Sequence, residues 1–418
     1  MHLPLSEPDI GEREIEYVTR VLRSQRLSLG PAVTQFEDRF AQYIGARHAI
    51  AVNSGTSALH LCVRAMGIRA GDAVITTSFS FVASVNCVLF EGASPILLDI
   101  EPRTLNLDPN QVRDFLRREC TRQAGGAVVQ RATGKIIKAI LPVHVFGLPC
   151  DMQAFTQLAR EYNLLLLEDA CEAIGAETGG RKAGTFGDAA VFAFYPNKQM
   201  TTGEGGMIVT DDLGIAEMCR SLRNQGRDAN GAWLNHVQLG YNYRLSDIHA
   251  ALGLAQLERI AELLAGRREA ASMYSRLLES AELLELPHEQ PGLKRSWFVY
   301  VIRFRGNSPR ELRERVRQAL LQQGITTQIY FPAIHRQPYF RAYQPQLLEL
   351  PHTEQAADSC LALPFSSRLG EAEIHFVCDA IASALEESAL PAPAAPQPHP
   401  LHAERAIDRC SNTTAPLA

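Results

Sequence analysis

Five short apolar runs, at 49–52, 73–76, 95–99, 136–143 and 164–169, constrain this chain more than any other feature. Strands that apolar belong in a sheet buried on both faces. The stretches of helical spacing between them, at 58–63, 83–90 and 152–161, supply the crossovers that a parallel sheet requires. The class is therefore α/β. Two amphipathic helices are predicted ahead of the first strand, at 11–23 and 31–43, the second opening at Gly30-Pro31, where proline suits a first helical turn. Further strands at 189–194 and 207–210 bracket a polar, glycine-rich loop. A long helical run over 248–278 follows, then strands at 297–304 and 325–330 and helices at 309–323 and 371–387. The domain change falls in that long helix, giving a large domain at 1–250, a smaller one at 251–387 and a Pro/Ala-rich tail at 388–418 expected to be disordered.

Composition narrows the function classes. With 41 basic and 46 acidic residues the net charge is −5, which offers no nucleic-acid-sized basic surface. The nine cysteines form no C-x-x-C pair and do not cluster with histidines at zinc spacing, so they read as apolar fillers in a reduced compartment, with no metal site. The amino terminus lacks the basic and apolar pattern of a secretory leader. No apolar stretch approaches the roughly 20 residues of a membrane span. A cytoplasmic protein without nucleic-acid or membrane partners is expected.

Four features could carry chemistry. Asp169 ends a strand of four leucines, at the edge where open α/β sheets place their ligands, although it would also serve as a helix cap. Lys198 lies in the glycine-rich loop after another apolar strand, where desolvation would favour the free amine and Schiff-base chemistry. Ser54-Gly55-Thr56-Ser57 opens a helix, as a phosphate cup does and as an ordinary N-cap does. Phe79 and Phe81 follow a strand and suit either core packing or a flat ligand. Pyridoxal 5'-phosphate needs an amine, an acid, anion donors and a flat neighbour, and all four are present. The nucleotide-binding alternatives lack their G-x-G-x-x-G and G-x-x-x-x-G-K-[ST] turns.

The chain resembles the DegT/StrS sugar aminotransferases, fold type I pyridoxal-phosphate enzymes, over residues 5 to about 385. The resemblance rests on Gly30-Pro31 with Phe36-Glu37, Asn53 to His60, Gly71-Asp72, Ser78 to Ser84, Val143 to Gly147, Glu168 to Ala173, Gly187-Asp188, the Lys198 loop and Gly240 to Arg244. It implies a large domain with a mostly parallel seven-stranded sheet between helices, and a smaller α+β domain. It further implies that Lys198 bonds the cofactor, that Asp169 pairs with its ring nitrogen and that Phe81 stacks on it. By the same resemblance Gly55, Thr56 and Ser57 hold the phosphate and Glu172 flanks the phenolic oxygen. Asn242 is implied to reach the phosphate of the neighbouring subunit, making a homodimer with shared sites. Arg223, Asn224, Arg227, Arg244, His335 and Arg336 are candidates for the substrate, with Tyr330 and His144 behind them.

The implied reaction moves an amino group from a donor, glutamate in the family, to a nucleotide-diphosphate keto sugar, the 4-keto-6-deoxy kind being favoured. Two positions depart from the commonest family pattern: Ala193 stands where a serine touches phosphate, and Glu172 where glutamine or histidine is frequent. Lys198 argues against the sister dehydratases, which carry histidine there. Amination of another cyclic ketone such as an inosose, or cofactor binding without turnover, remain alternatives.

Overall fold

The computed structural model describes residues 2–228 and 234–389. The tail expected at 388–418 lies, from residue 390 onward, outside the described residues.

Seven strands form the central path: β1 (His48–Val52), β2 (Asp72–Thr77), β3 (Ser94–Leu98), β4 (Ile136–Ile140), β5 (Leu165–Asp169), β6 (Ala189–Ala193) and β7 (Gly206–Thr210), in the order β1-β7-β6-β5-β4-β2-β3. All neighbours are parallel except β7, which runs antiparallel to both β6 and β1. A direct loop from β6 to β7 can make only an antiparallel pair, and that loop carries Lys198. The sheet has nine strands rather than the seven expected, because a hairpin of Cys120–Arg122 and Val128–Gln130 adds to β4. These strands are three residues long and each buries only one residue, so they leave no long apolar run in the sequence.

Helices cover both faces. Among them are α1 (Glu12–Ser24), α2 (Pro31–Ile44), α3 (Gly55–Ala65) and α4 (Ala83–Phe90), of which α3 and α4 bring residues to the site. The predicted long helix breaks at Arg259 into α5 (Asp247–Glu258) and α6 (Ile260–Leu278). Arg259 ends one helix and begins the next while pairing with Asp9, Glu14 and Glu262. α5 packs on α1 and α2, whereas α6 packs on α7 (Glu371–Ala389). A second apolar cluster gathers there, with the Tyr274 and Trp297 rings stacked on Tyr300.

The strand expected at 325–330 is not one. Ile325 and Gln328 make isolated bridges to Leu3 and Ala362, and Tyr300–Phe304 pairs instead with Cys360–Leu363, a fully buried strand. Ile325 packs into the second apolar cluster, whereas Tyr330 and Phe331 line the cavity described next.

No helix among the described residues is long and apolar enough to cross a membrane.

Candidate active site

The carboxyl ends of β1, β2, β5 and β6 open on one cavity of about 430 Å³. It lies where an open α/β sheet places its ligand crevice. Of the residues singled out from the sequence, Gly55, Thr56, Phe81, Asp169, Glu172, Lys198 and Tyr330 line it.

Lys198 is held by its backbone while its amine stays in the cavity. The buried Arg267 of α6 donates to the Lys198 carbonyl (2.8 Å) and, through its other terminal nitrogen, to that of Phe298 (2.9 Å). Burial without a paired carboxylate pushes the Arg267 guanidinium down to about 10. The Lys198 side chain is 14% exposed, and its Nζ lies 3.5 Å from Glu172 Oε1 and 3.9 Å from the Phe298 ring centroid. The next residue, Gln199, fixes the loop by donating to the Glu172 carbonyl (2.6 Å) and the Ser296 hydroxyl (2.8 Å).

Asp169 is not a free helix cap. Its Oδ2 accepts from Ser84 Oγ (2.7 Å) and its Oδ1 from the Cys171 N–H (3.1 Å), so the buried carboxylate is fixed in orientation at the cavity wall. Ser84 sits in the first turn of α4, three residues beyond Phe81, and thereby ties the turn that carries Phe81 to the carboxylate.

The start of α3 forms a cup. Ser54 caps the helix by accepting from the Ser57 N–H (3.0 Å), and its own hydroxyl bonds Ser57 Oγ (2.9 Å). A Cβ on Gly55 would lie 2.8 Å from Ala193 Cβ and 3.1 Å from Cys171 Sγ, so only glycine lets this turn rest on the end of β6. Gly55 and Thr56 face the cavity; Ser57 spends its hydroxyl on the cap and does not line it.

The two phenylalanines divide. Phe79 is buried against Phe146 and Phe331, whereas the Phe81 ring is 60% exposed at the cavity. Full burial of such a side chain is worth about 1.5–3 kcal/mol, part of which a flat ligand on the ring would recover.

Glu172 is buried; its Oε2 accepts from the Phe146 N–H (2.8 Å) and its Oε1 faces Lys198. Burial raises its carboxyl above the ordinary value of 4.5 despite the opposing Lys198 charge. Such a group favours the folded state while protonated; the contribution is complete below 4.5 and disappears as pH climbs through the raised value. Cofactor-free Glu172→Gln, which cannot ionise, should gain melting temperature relative to the parent chain as pH rises from 4.5 through the raised value. A constant difference across that window would deny the burial cost.

Several candidates lie elsewhere. His335 is 8% exposed, with Nδ1 2.7 Å from Ser78 Oγ and Nε2 3.1 Å from Glu354. Both ring nitrogens are engaged, so it pins its loop to the Ser78–Phe81 turn and does not line the cavity. His144, fully buried, bonds Glu168 and the Cys150 N–H. Arg223 pairs with Glu37 and donates to the Ala51 carbonyl (2.6 Å). With Asn224 and Arg244 it borders a separate shallow depression. Arg336 pairs with Glu354 and Asp358. Arg227 and Asn242 do not line the cavity either, and Asn242 is exposed.

Ser84, Arg267 and Phe298 escaped sequence reasoning as site residues. Ser84 has no signal of its own within the Ser78–Ser84 segment; an arginine on the apolar side of α6 is the available sign for Arg267; Phe298 gives none.

An amine, a fixed carboxylate, a helix start and an exposed ring thus converge, and Asn197 Oδ1 beside them is buried with no protein partner. The set fits the aldehyde, ring nitrogen, phosphate and ring face of pyridoxal 5'-phosphate. The model of the DegT/DnrJ/EryC1/StrS aminotransferase family matches residues 8–382. The chain is 38% identical over 381 residues to GDP-perosamine synthase of Caulobacter vibrioides, covering 91% of this chain and 97% of that protein. Its fold superposes on Helicobacter pylori PseC, an aminotransferase of pseudoaminic acid biosynthesis, with TM-score 0.84, 26% identity and coverage of 93% and 100%. It also matches Bacillus subtilis NtdA with bound cofactor PMP, with TM-score 0.78, 28% identity and coverage of 90% and 83%.

Proposed function

This chain belongs to the DegT/DnrJ/EryC1/StrS aminotransferase family, whose fold type I architecture and pyridoxal-phosphate dependence it shares, and we propose that it aminates a nucleotide-linked keto sugar with glutamate as donor. The observation that carries this reading is the convergence of Lys198 and Asp169, from β6 and β5, on one cavity. The cofactor, when bound, supplies an aldehyde for the donor's amine and a ring that withdraws electrons from the carbon being deprotonated.

The residues do the rest. Lys198 Nζ would hold the cofactor, and its free amine can take a proton from the donor's α-carbon as general base and return it as general acid. Asp169, anchored by Ser84 and Cys171, keeps a proton on the ring nitrogen. Phe81 covers one face of the ring and excludes water there. Glu172 Oε1, 3.5 Å away, can accept a hydrogen bond from the Lys198 nitrogen whether or not that nitrogen carries the proton, limiting its escape. Tyr330, whose hydroxyl burial pushes up to about 12, stays protonated and can donate to the acceptor.

A nucleotide-linked acceptor is supported by the relative named for GDP-perosamine, and the 4-keto-6-deoxy preference by the sequence resemblance. A homodimer that shares its sites is part of the proposal, with Asn242 reaching the neighbouring subunit's phosphate. What supports it is the exposure of Asn242 outside its own cavity, beside Asn224 and the arginines of the shallow depression. Glutamate mixed with the loaded protein, without acceptor, should yield one 2-oxoglutarate per site and change the cofactor's absorbance. Binding without any 2-oxoglutarate, from glutamate or other amino donors, would favour a protein that keeps the cofactor but does not turn over.

A further inference from the structure

We propose that Glu91 is a positioning residue that aims Asn242 at the neighbouring subunit's cofactor phosphate, an inference that rests on the shared-site reading above. Residues 241–243 lie extended between two edges. On one, Tyr241 N–H donates to the Leu222 carbonyl (2.7 Å), Gln225 N–H to that of Tyr241 (2.8 Å) and Tyr243 N–H to that of Arg223 (2.9 Å); on the other, Asn53 N–H donates to the Tyr243 carbonyl (2.9 Å). Side chains alternate on such a segment, so Tyr241 and Tyr243 share one face and Asn242 takes the opposite one. The two tyrosine rings stack at 4.9 Å and 9°.

One carboxylate gathers that face. Glu91, directly after α4, accepts from Tyr241 Oη (3.2 Å) and His60 Nε2 (2.8 Å) on Oε1, and from Arg64 (3.0 Å) on Oε2. The other ring nitrogen of His60, Nδ1, lies 3.3 Å from Tyr243 Oη, so both tyrosines are tied to Glu91, one directly and one through the imidazole. The Glu91 and His60 side chains are only 10% and 6% exposed. A buried ionic cluster is poor evidence for stability but defines geometry well. None of Glu91, His60, Arg64, Tyr241 or Tyr243 lines the chain's own cavity. The geometry they define is therefore that of the opposite face, where Asn242 is exposed.

That opposite face suits an anion. Arg244 donates to Asn224 Oδ1 (2.9 Å), and Asn224 bridges Asn242. Arg220, Arg223 and Arg244 border the same depression, whose lining includes no carboxylate; Glu37 pairs with Arg223 from outside that lining. The arrangement also links the two sites of a dimer. Asn53, which precedes the chain's own cup, bonds the segment that serves the partner, and α4 carries Ser84 at one end and meets Glu91 at the other.

Affinity for pyridoxal phosphate and for pyridoxal, which lacks the phosphate, separates this role from general damage. Glu91→Ala should weaken pyridoxal phosphate binding about tenfold, the size of one lost polar contact, and leave pyridoxal binding unchanged. Tyr241→Phe with Tyr243→Phe keeps the rings, removes the hydroxyls and should shift the same affinity in the same direction by about threefold. This pair serves if Glu91→Ala folds poorly. Equal losses for both ligands would overturn the proposal.

Mixed dimers decide the direction of action. Paired with a Lys198→Ala chain, a Glu91→Ala chain receives its phosphate contact from an undisturbed Asn242, so its site should regain parental affinity and turnover. An Asn242→Ala chain paired with Lys198→Ala should recover likewise. If the second pairing recovers and the first does not, Glu91 acts within its own subunit and the proposal fails alone. If neither recovers, the shared-site reading fails and the proposal with it.

Discussion

Lys198→Ala is expected to lower amino transfer by about 10⁴-fold or more, since the substitution removes both the nucleophile and the general base. Among the described residues that line the cavity, Lys198 supplies the one amine. The loss should be chemical, not structural. Arg267 holds the loop through the backbone carbonyl, and Gln199 through its own side chain, so neither anchor depends on the lysine side chain. Glu172 loses its counter-charge, but a carboxyl already raised by burial can take up a proton instead. Borohydride treatment of the parent enzyme followed by peptide mapping should mark Lys198 with the cofactor, and the variant should give no marked peptide there. Retained turnover with label on another lysine would move the site away from the β6–β7 loop.

Asp169→Asn should slow the donor half-reaction by about 10²- to 10³-fold, the range for removing one preorganised electrostatic contact from a reacting centre. The amide is nearly isosteric, yet it cannot hold a proton on the ring nitrogen. It also gives up an acceptor, because both carboxylate oxygens now receive protein donors, from Ser84 and Cys171. Covalent attachment at Lys198 should survive, so borohydride still marks that residue. The combination of intact attachment with slow transfer distinguishes loss of electron withdrawal from loss of the pocket. A variant as fast as the parent would leave Asp169 with only its role beside the start of the 170–173 turn.

The sheet was legible because parallel strands buried on both faces must be apolar, a mark that β1, β2 and β5 carry along nearly their whole length. The 120–130 hairpin carried no such mark, and a segment with the apolar content of 325–330 makes only isolated bridges before its end reaches the cavity. At the site, Lys198, Asp169, Gly55 and Thr56 were readable because each ends a strand or opens a helix, so sequence position fixes direction. Phe79 and Phe81 were ambiguous until packing buried one and exposed the other. His335 misled because a histidine near a cleft has the same sequence signature whether its nitrogens are free or already bonded to Ser78 and Glu354. Arg267 and Phe298 come from α6 and the segment before Tyr300–Phe304, far along the chain from the loop they support; only the folded arrangement of the long helix brings them to Lys198.

The most direct measurement incubates the purified protein with pyridoxal phosphate, glutamate and a panel of acceptors: GDP-, UDP- and dTDP-linked 4-keto-6-deoxy sugars, their 3-keto counterparts and an inosose, with products followed by mass. The expected result is one amino nucleotide sugar formed from a 4-keto acceptor, mole for mole with 2-oxoglutarate, and abolished by Lys198→Ala. Amination of the inosose with every nucleotide sugar left untouched would contradict it.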